Sequence, residues 1–267
     1  ARARGVEHLS RHERAKKILE AGCDQFGGET CPEVIVDLVK SGEVSEARID
    51  ESIHRLLREK FRMGLFDNPY VDPEEAEKTI GKAEFVAAGE LAQRKSVVLL
   101  KNEAGSLPLI NRPKMYIEKI DPAVAGQYGQ VVEDLKEAEI AILRVSTPFD
   151  PREGMLENFF HAGDLAFKPE ELKRILSICQ AVPTIVDIYL ERPAVIPEIA
   201  AQCVGLTANF GANDGALLDI LFGKFNPTGK LPYELPASME AVRGQKEDVP
   251  HDSENPLFPF GHGLSYT

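Results

Sequence analysis

The chain has 267 residues, of which 43 are acidic and 31 are basic, so it carries a formal net charge of −12 at neutral pH. This acidity disfavours nucleic acid as a partner, because phosphate backbones attract basic surfaces. With 43% hydrophobic and 28% charged residues, the composition is that of a folded globular protein and excludes disorder as the main state. No apolar run approaches the ~20 residues of a membrane helix, and residues 1–10 contain no hydrophobic signal core, so we expect neither feature.

The cysteine and glycine patterns argue against metal and nucleotide sites. Cys23, Cys31, Cys179 and Cys203 are scattered, without the Cys-x-x-Cys or Cys/His spacing of a metal site. We expect them to be buried or half-buried free thiols. The segment GANDG at residues 211–215 lacks the spacing of both phosphate-binding glycine motifs. The sequence therefore predicts no metal ion and no cofactor.

The first 66 residues are predicted to form three helices and one strand. Apolar residues recur at helical spacing over residues 10–20 and 45–62, and a proline fits the first turn of a helix over residues 32–40. Residues 21–28 are typical of a short buried strand that ends in a glycine turn. This set cannot close a core by itself. Uncovered apolar stripes on the second and third helices would predict self-association or pairing with another polypeptide.

A linker is predicted over residues 67–73, where two prolines stand among Asp and Asn. It separates residues 1–66 from a second domain over residues 74–267. That domain alternates β-branched runs with amphipathic helices, which is typical of a mostly parallel sheet covered on both faces. The predicted strands are 96–100, 114–120, 140–145, 184–190 and 205–210, and the predicted helices are 74–94, 169–180, 194–201 and 214–222. The sequence therefore predicts an α/β fold, a three-layer α/β sandwich, with a Pro- and Gly-rich tail over residues 226–267 lying along its surface.

The loop over residues 147–164 is the first candidate for a functional site. It is long for a compact domain, and it follows the carboxyl end of a predicted parallel strand, where ligands bind in open α/β sheets. Glu157 lies among apolar neighbours in the sequence, which would raise its pKa and keep it protonated as a general acid requires. Glu153 stands beside Arg152 and should ionise more easily. The alternative is that both are solvated surface glutamates.

Three further residues are candidates for substrate binding. His161 in the same loop is either a ligand contact or a packed loop histidine. Asp24 and Gln25 follow the predicted strand over residues 21–28, and in βα barrels that position faces the mouth of the active site.

Four motifs stand out along the chain: FRMGLFDNP at residues 61–69, SVVLLKN at 96–102 with LPL at 107–109, LFG at 221–223 with NPTGKLP at 226–232, and FGHGLSYT at 260–267. All four resemble glycoside hydrolase family 3, and they occur in that family's order. The resemblance covers nearly the whole chain and is to the bacterial β-glucosidase members. It implies a TIM-like barrel joined to an α/β sandwich, with residues 1–66 as the closing helices and last strand of the barrel.

The resemblance also implies a retaining glycosidase, in which one carboxylate attacks the anomeric carbon and another protonates the leaving oxygen and then activates water. In the family the nucleophile is an Asp in a Ser-Asp motif of the barrel, and this chain contains no Ser-Asp dipeptide. We therefore expect the nucleophile, most of the barrel and the frequent C-terminal fibronectin-like domain to be absent. The family's acid/base is a Glu on a sandwich-domain loop, which matches Glu157 or Glu153, and the sequence environment favours Glu157.

These expectations leave several interpretations open. In one, the chain supplies the acid/base loop of a β-glucosidase-type enzyme and is inactive without a polypeptide carrying the rest of the barrel. In another, it is a non-catalytic carbohydrate-binding or assembly module of the same fold. It could also be a fragment of a longer gene product. A β-glucoside or oligosaccharide is the expected ligand in the first two cases, while the exact sugar and the compartment are not fixed by these residues.

Overall fold

A computed structural model of the chain describes residues 5–154, 158–246 and 248–266. The chain divides into two compact units, Ala1–Ile80 and Gly81–Thr267. The division follows Ile80 instead of residues 67–73, and the helix predicted over residues 74–94 is broken at the same point. Gly81 has φ +74°, a left-handed conformation that ends a helix and that glycine adopts without strain. Among the described residues, no helix is long and apolar enough to cross a membrane.

The described part of the first unit contains four helices. They are α1 Arg11–Glu20, α2 Pro32–Lys40, α3 Glu46–Arg62 and α4 Pro73–Thr79. A capping box begins α1, because the Ser10 hydroxyl accepts from the Glu13 amide while the Glu13 carboxylate accepts from the Ser10 amide. Pro32 occupies the first turn of α2, where its missing N–H is not needed. The three helices predicted in this region are confirmed.

The predicted strand over residues 21–28 is wrong, since these residues form turns and irregular extended chain. A strand needs a neighbour to exchange backbone hydrogen bonds, and no strand lies in the described part of the first unit. Arg48 of α3 instead donates to the carbonyl oxygens of Leu19 and Cys23, at 3.0 and 3.1 Å. The Cys23 thiol is exposed, contrary to expectation, whereas the other three cysteines are buried or half-buried free thiols.

The apolar faces of α2 and α3 differ in exposure. Val34 and Leu38 of α2 are buried in a small core shared with α1, so the expectation of an uncovered stripe on α2 is wrong. On α3 the stripe is exposed, and Phe61 keeps 64% of its surface accessible. Its exposed members are Ile53, Leu56, Leu57 and Phe61. Within the described part of the first unit, the apolar face of α3 is therefore exposed.

The second unit is built on a six-stranded sheet. Its strands are β1 Val98–Asn102, β2 Lys114–Glu118, β3 Gln130–Val132, β4 Ile140–Ser146, β5 Thr184–Tyr189 and β6 Gly205–Asn209. The strand order is β1-β6-β5-β4-β2-β3, and each neighbouring pair is parallel except β1 with β6. This confirms the mostly parallel sheet. β3 has only three residues at the edge of the sheet, too few to give a pattern in the sequence.

Helices cover both faces of this sheet. They are α5 Ala83–Ser96, α6 Pro122–Ala125, α7 Pro169–Ala181, α8 Pro197–Gln202, α9 Asp214–Leu221 and α10 Met239–Gly244. One core lies between the sheet and α7 and α8, with Ile175 and Ile199 fully buried. The other lies on the α9 side, with Leu217 and Leu221 fully buried. The two cores separate three layers, and the predicted α/β sandwich is confirmed.

The C-terminal tail covers the free edge of β1. The Leu264 amide donates to the Leu99 carbonyl oxygen at 2.8 Å, and the His262 ring lies 2.9 Å from the Leu100 carbonyl oxygen. A Cβ placed on Gly263 would lie 2.2 Å from the Gly229 carbonyl oxygen, and one on Gly229 would lie 2.4 Å from that of Val97. Backbones pack directly here, and the contact removes an unpaired strand edge that would otherwise invite association.

A buried charge network connects β4, β5 and β6, whose carboxyl ends lie at the same edge of the sheet. Arg144 of β4 stands directly opposite Asp187 of β5, and Asp187 stands opposite Thr207 of β6. The Arg144 guanidinium donates to Asp187 at 2.9 Å and to Asp214, at the start of α9, at 2.6 Å. Thr207 and Asn209 each donate to the Asp187 carboxylate at 2.8 Å. Arg144 and Asp187 together therefore connect three strands and one helix.

Burial opposes the charge on this network, and its hydrogen bonds oppose the effect of burial. Asp187 has no exposed surface, and desolvation raises the pKa of its carboxyl while Arg144, Thr207 and Asn209 act in the opposite direction. Removing one partner of such a pair leaves an uncompensated buried charge, which costs about 3–5 kcal/mol. The network is therefore far more sensitive to truncation than an exposed ion pair would be.

We predict that Gly263→Ala lowers the free energy of unfolding by about 1–3 kcal/mol, because the added methyl group overpacks a backbone contact. Gly89 in α5 has open space around its Cα, so Gly89→Ala should instead stabilise the chain by about 0.5–1 kcal/mol through helix propensity. Urea unfolding followed by circular dichroism measures both. Equal shifts in the two variants would contradict the close packing of the tail.

We also predict that Arg144→Met lowers the free energy of unfolding by about 3–5 kcal/mol. The matched control is Arg174→Met, which removes a guanidinium that pairs with Glu118 and Glu171 at 2.8 Å and is 39% exposed. The control should cost about 1 kcal/mol or less. Urea midpoints decide the comparison, and a control as damaging as Arg144→Met would refute the special role of the buried network.

Candidate functional site

The carboxyl ends of β2, β4, β5 and β6 meet at one edge of the sheet. Two adjoining cavities of about 250 and 310 Å³ lie along this edge. Lys119, Val145 and Ser146 line both cavities. Tyr189 lies in the smaller one and Phe149 in the larger, so hydrogen-bonding groups stand beside aromatic rings. That mixture suits a ligand that combines hydroxyl groups with an apolar ring face.

The larger cavity also has a fixed negative charge at its rim. Glu171 accepts hydrogen bonds from Arg174 one turn further along α7, at 2.8 and 2.9 Å. These bonds lower the pKa of the Glu171 carboxyl and keep it ionised. Glu171 therefore serves as a charged boundary of the cavity, and its guanidinium partner also reaches Glu118 at the end of β2.

The candidate loop over residues 147–164 begins at the end of β4. Thr147 is buried, and its hydroxyl donates to the carbonyl oxygen of Arg192 at 2.9 Å, while its amide donates to that of Tyr189 at 3.1 Å. The loop therefore leaves the sheet from a position fixed against the end of β5.

The loop returns on itself at a neck, which we define as Asp150 together with residues 161–164. The Asp150 amide donates to the Ala162 carbonyl oxygen at 2.9 Å, and the Asp164 amide donates to the Asp150 carboxylate at 3.2 Å. Gly163 has φ +91°, and a Cβ there would lie 2.1 Å from the Asp150 carboxylate. Only glycine fits this position. The neck therefore holds Asp150 next to residues 161–164.

The end of β5 grips this neck through two consecutive side chains. Arg192 donates to the carbonyl oxygens of Gly163 and Asp164. Glu191 lies 2.8 Å from Nδ1 of His161, whose ring stacks on Phe149 with centroids 3.6 Å apart and planes 9° apart. His161, proposed from the sequence as a substrate contact, is thus packed and hydrogen-bonded within the loop structure.

Of the two candidate glutamates, Glu153 lies in the described part of the chain. Glu153 is exposed between Arg152 and Gly154 at the start of the loop. Glu157 lies outside the described residues. The sequence argument for Glu157 depended on apolar neighbours, yet Phe159 and Phe160 are 74% and 57% exposed and contact each other edge to face. Both phenylalanine side chains are therefore largely exposed, and the preference for Glu157 stays a prediction.

Asp24 and Gln25 belong to the first unit. The Asp24 carboxylate accepts from the Ser52 hydroxyl at 2.8 Å and from Arg55 at 2.9 Å. The bond from Ser52 is the main cause that lowers the pKa of Asp24, with Arg55 adding to it. Gln25 is exposed and lines a separate cavity of about 380 Å³ within the first unit. Asp24 therefore ties residues 21–28 to α3.

Sequence reasoning missed Glu191 and Arg192. Their signal was available, because both directly follow a buried strand, where side chains reach the same edge as the candidate loop. Among the described residues, no group of three or more His, Cys, Asp or Glu side chains is arranged to hold a metal ion.

Comparison with known proteins places these features in a family. Residues 118–266 match the model of the "Glycosyl hydrolase family 3 C-terminal domain". The chain is 53% identical to the "Probable beta-glucosidase C" of Aspergillus flavus and 50% identical to the "Beta-glucosidase C" of Emericella nidulans, in both cases over 100% of its own length. It is 39% identical, over 98% of its length, to the "Periplasmic beta-glucosidase/beta-xylosidase" of Dickeya chrysanthemi.

The match covers only part of each relative. The chain spans 43%, 44% and 41% of the lengths of these three proteins. Among solved structures, a β-glucosidase from Listeria innocua in complex with glucose matches with a TM-score of 0.69 at 20% identity, over 96% of this chain and 44% of that one. At that identity the likeness speaks for the fold alone. The sequence motifs, the sandwich fold and the family match agree, and the chain belongs to glycosyl hydrolase family 3.

Proposed function

We propose that this chain supplies the proton-donating loop of a retaining β-glucosidase-type glycoside hydrolase. The observation that supports the proposal best is that both ends of the segment 147–164, whose sequence contains two glutamates, are anchored at the carboxyl edge of the sheet. Relatives named β-glucosidase, 50–53% identical over the whole chain, support the substrate class. The alternative, a non-catalytic carbohydrate-binding module, has no comparable feature in its favour and is separated by the experiments below.

The chemistry needs two carboxyl groups with different tasks. One attacks the anomeric carbon and forms a covalent glycosyl intermediate, while the other protonates the departing oxygen and later takes a proton from water. The second task is the one we assign to Glu157 or Glu153. The nucleophile is assigned to barrel residues outside this chain, since no Ser-Asp dipeptide of the family type occurs in its 267 residues.

Three residues are proposed to contact substrate. His161 lies in the candidate loop, where its ring stacks on Phe149. Asp24 and Gln25 remain proposals in the first unit, where Gln25 is the better candidate because its side chain is exposed. The proposed substrate is a β-glucoside, and the mixed name of the Dickeya relative makes β-xylosides the first alternative to assay.

We propose further that the first unit contributes closing helices of a barrel, over residues 1–66, and that the remaining barrel covers the exposed apolar stripe of α3. An apolar face of this kind, combined with the exposed Phe66 and Met63, is unusual on a free surface. A polypeptide that carries the rest of the barrel, or a second copy of this chain, would bury it.

We predict that the chain alone does not hydrolyse aryl β-glucosides and that turnover appears when a polypeptide with the remaining barrel is added. A steady-state assay with 4-nitrophenyl β-glucoside measures this, with the corresponding β-xyloside as a second substrate. Phe61→Glu provides a control, since a charge in the α3 stripe should weaken assembly. If the two polypeptides fold and assemble but show no hydrolysis, the catalytic proposal is overturned. Binding of cellobiose to the isolated chain, measured by calorimetry, would then favour a binding module.

We predict that replacing the acid/base glutamate by Gln lowers turnover by about 10²–10⁴-fold for substrates with poor leaving groups, because an alkoxide cannot depart without a proton. Dinitrophenyl glucosides should suffer least in the first step. Added azide should partly restore turnover, because an anionic nucleophile needs no general base. Parallel assays of Glu157→Gln and Glu153→Gln in the active assembly identify the residue. Normal kinetics in both variants would contradict the assignment of proton donation to this loop.

A further inference from the structure

We infer that Arg192 and the Glu191–His161 pair are positioning residues that hold the proton-donating loop in register with the sheet edge. The inference rests on the proposed function. Arg192 and Glu191 need not touch the reacting atoms, because both act on the neck of the loop. Their common feature is that they link the neck to the end of a strand other than the one from which the loop departs.

The contacts of Arg192 join the two ends of the loop. Thr147, at the root of the loop, donates through its hydroxyl to the Arg192 carbonyl oxygen at 2.9 Å. The Arg192 guanidinium then reaches forward to the carbonyl oxygens of Gly163 and Asp164 at the far side of the neck. Arg192 thus contacts the chain both where the loop begins and where it ends. It therefore fixes both ends of the loop relative to β5.

The second grip is of a different chemical kind. Glu191 holds Nδ1 of His161 at 2.8 Å, and the His161 ring lies flat on Phe149. Phe149 precedes the neck and His161 forms part of it, so the stack joins the outgoing and the returning chain. The charged groups that surround this contact are Glu191 and Arg192 on the β5 side and Asp150, Asp164 and Lys168 on the loop side.

The neck is tightly packed at Gly163. Gly163 sits against the Asp150 carboxylate with a left-handed φ of +91°, so side-chain atoms cannot be added there. A general acid must be held close to its productive geometry, and a displacement of about 1 Å can cost about 100-fold in rate. Loosening the neck should therefore affect proton donation far more than it affects folding.

The test uses Arg192→Ala and Gly163→Ala in the active assembly, with Arg112→Ala as the matched control. Arg112 also donates to two carbonyl oxygens of a loop, those of Gln127 and Gly126 at 2.7 and 2.9 Å, but at the amino end of β2 and β3. We expect both neck variants to lose about 100-fold in kcat on alkyl β-glucosides and about threefold or less on dinitrophenyl β-glucoside. The control should lose equally little on both substrates. Arg192→Lys, which keeps a single flexible donor, should fall between wild type and Arg192→Ala.

Hydrogen exchange on the chain alone provides a readout that does not depend on activity. The amides of Asp150 and Asp164 should exchange faster in Arg192→Ala and at the wild-type rate in Arg112→Ala. Unchanged exchange in Arg192→Ala would overturn the grip itself. Faster exchange together with an equal loss on both substrate types would overturn the positioning role. An inactive wild-type assembly would instead count against the proposed function and leave the exchange result to decide the grip.

Discussion

The Arg144 guanidinium binds both the buried Asp187 and the partly exposed Asp214. The geometry of the carboxyl edge of the sheet depends on these two ion pairs. It joins β4 to β5 and both to the start of α9, while Thr207 and Asn209 bring in β6. Because each oxygen of the Asp187 carboxylate has a donor, the charge is satisfied only when all three strands keep their register. A slip of one strand would leave a buried charge without its donors, so the network selects one arrangement of strand ends.

The loops that leave this edge inherit its rigidity. Asn209 turns its amide oxygen to the backbone amides of Gly211 and Ala212 and so fixes the chain entering α9. The paired ends of β4 and β5 fix Thr147 against Tyr189 and Arg192. When rigid strands fix both ends of a loop, less conformational entropy is lost as its side chains take up the geometry that binds a ligand. The two ends of the candidate loop are constrained in this way.

The sequence predicts those elements whose cause is local. α2 agrees at both ends with its prediction, since Pro32 favours its start and the Ser41–Gly42 turn ends it, and the β-branched runs of β4 and β5 agree closely as well. The failures depend on partners distant in the sequence. Residues 21–28 have a strand pattern but no neighbouring strand in the described first unit. Glu191 and Arg192 meet the candidate loop only because Ser146 pairs with Tyr189 in the sheet.

The exposure of the candidate loop has a chemical consequence. Proton transfer to a departing alkoxide is efficient when water is excluded and the donor is held against the leaving oxygen. Glu153 is exposed, so the proposed function requires bound substrate or further polypeptide to exclude water from it. Burial of the exposed apolar face of α3 would gain about 25 cal/mol for each Å² of apolar surface removed from water. Under the proposed function, added barrel polypeptide would both cover this face and supply the missing nucleophile, which is the physical reason for expecting assembly and activity to appear in the same step.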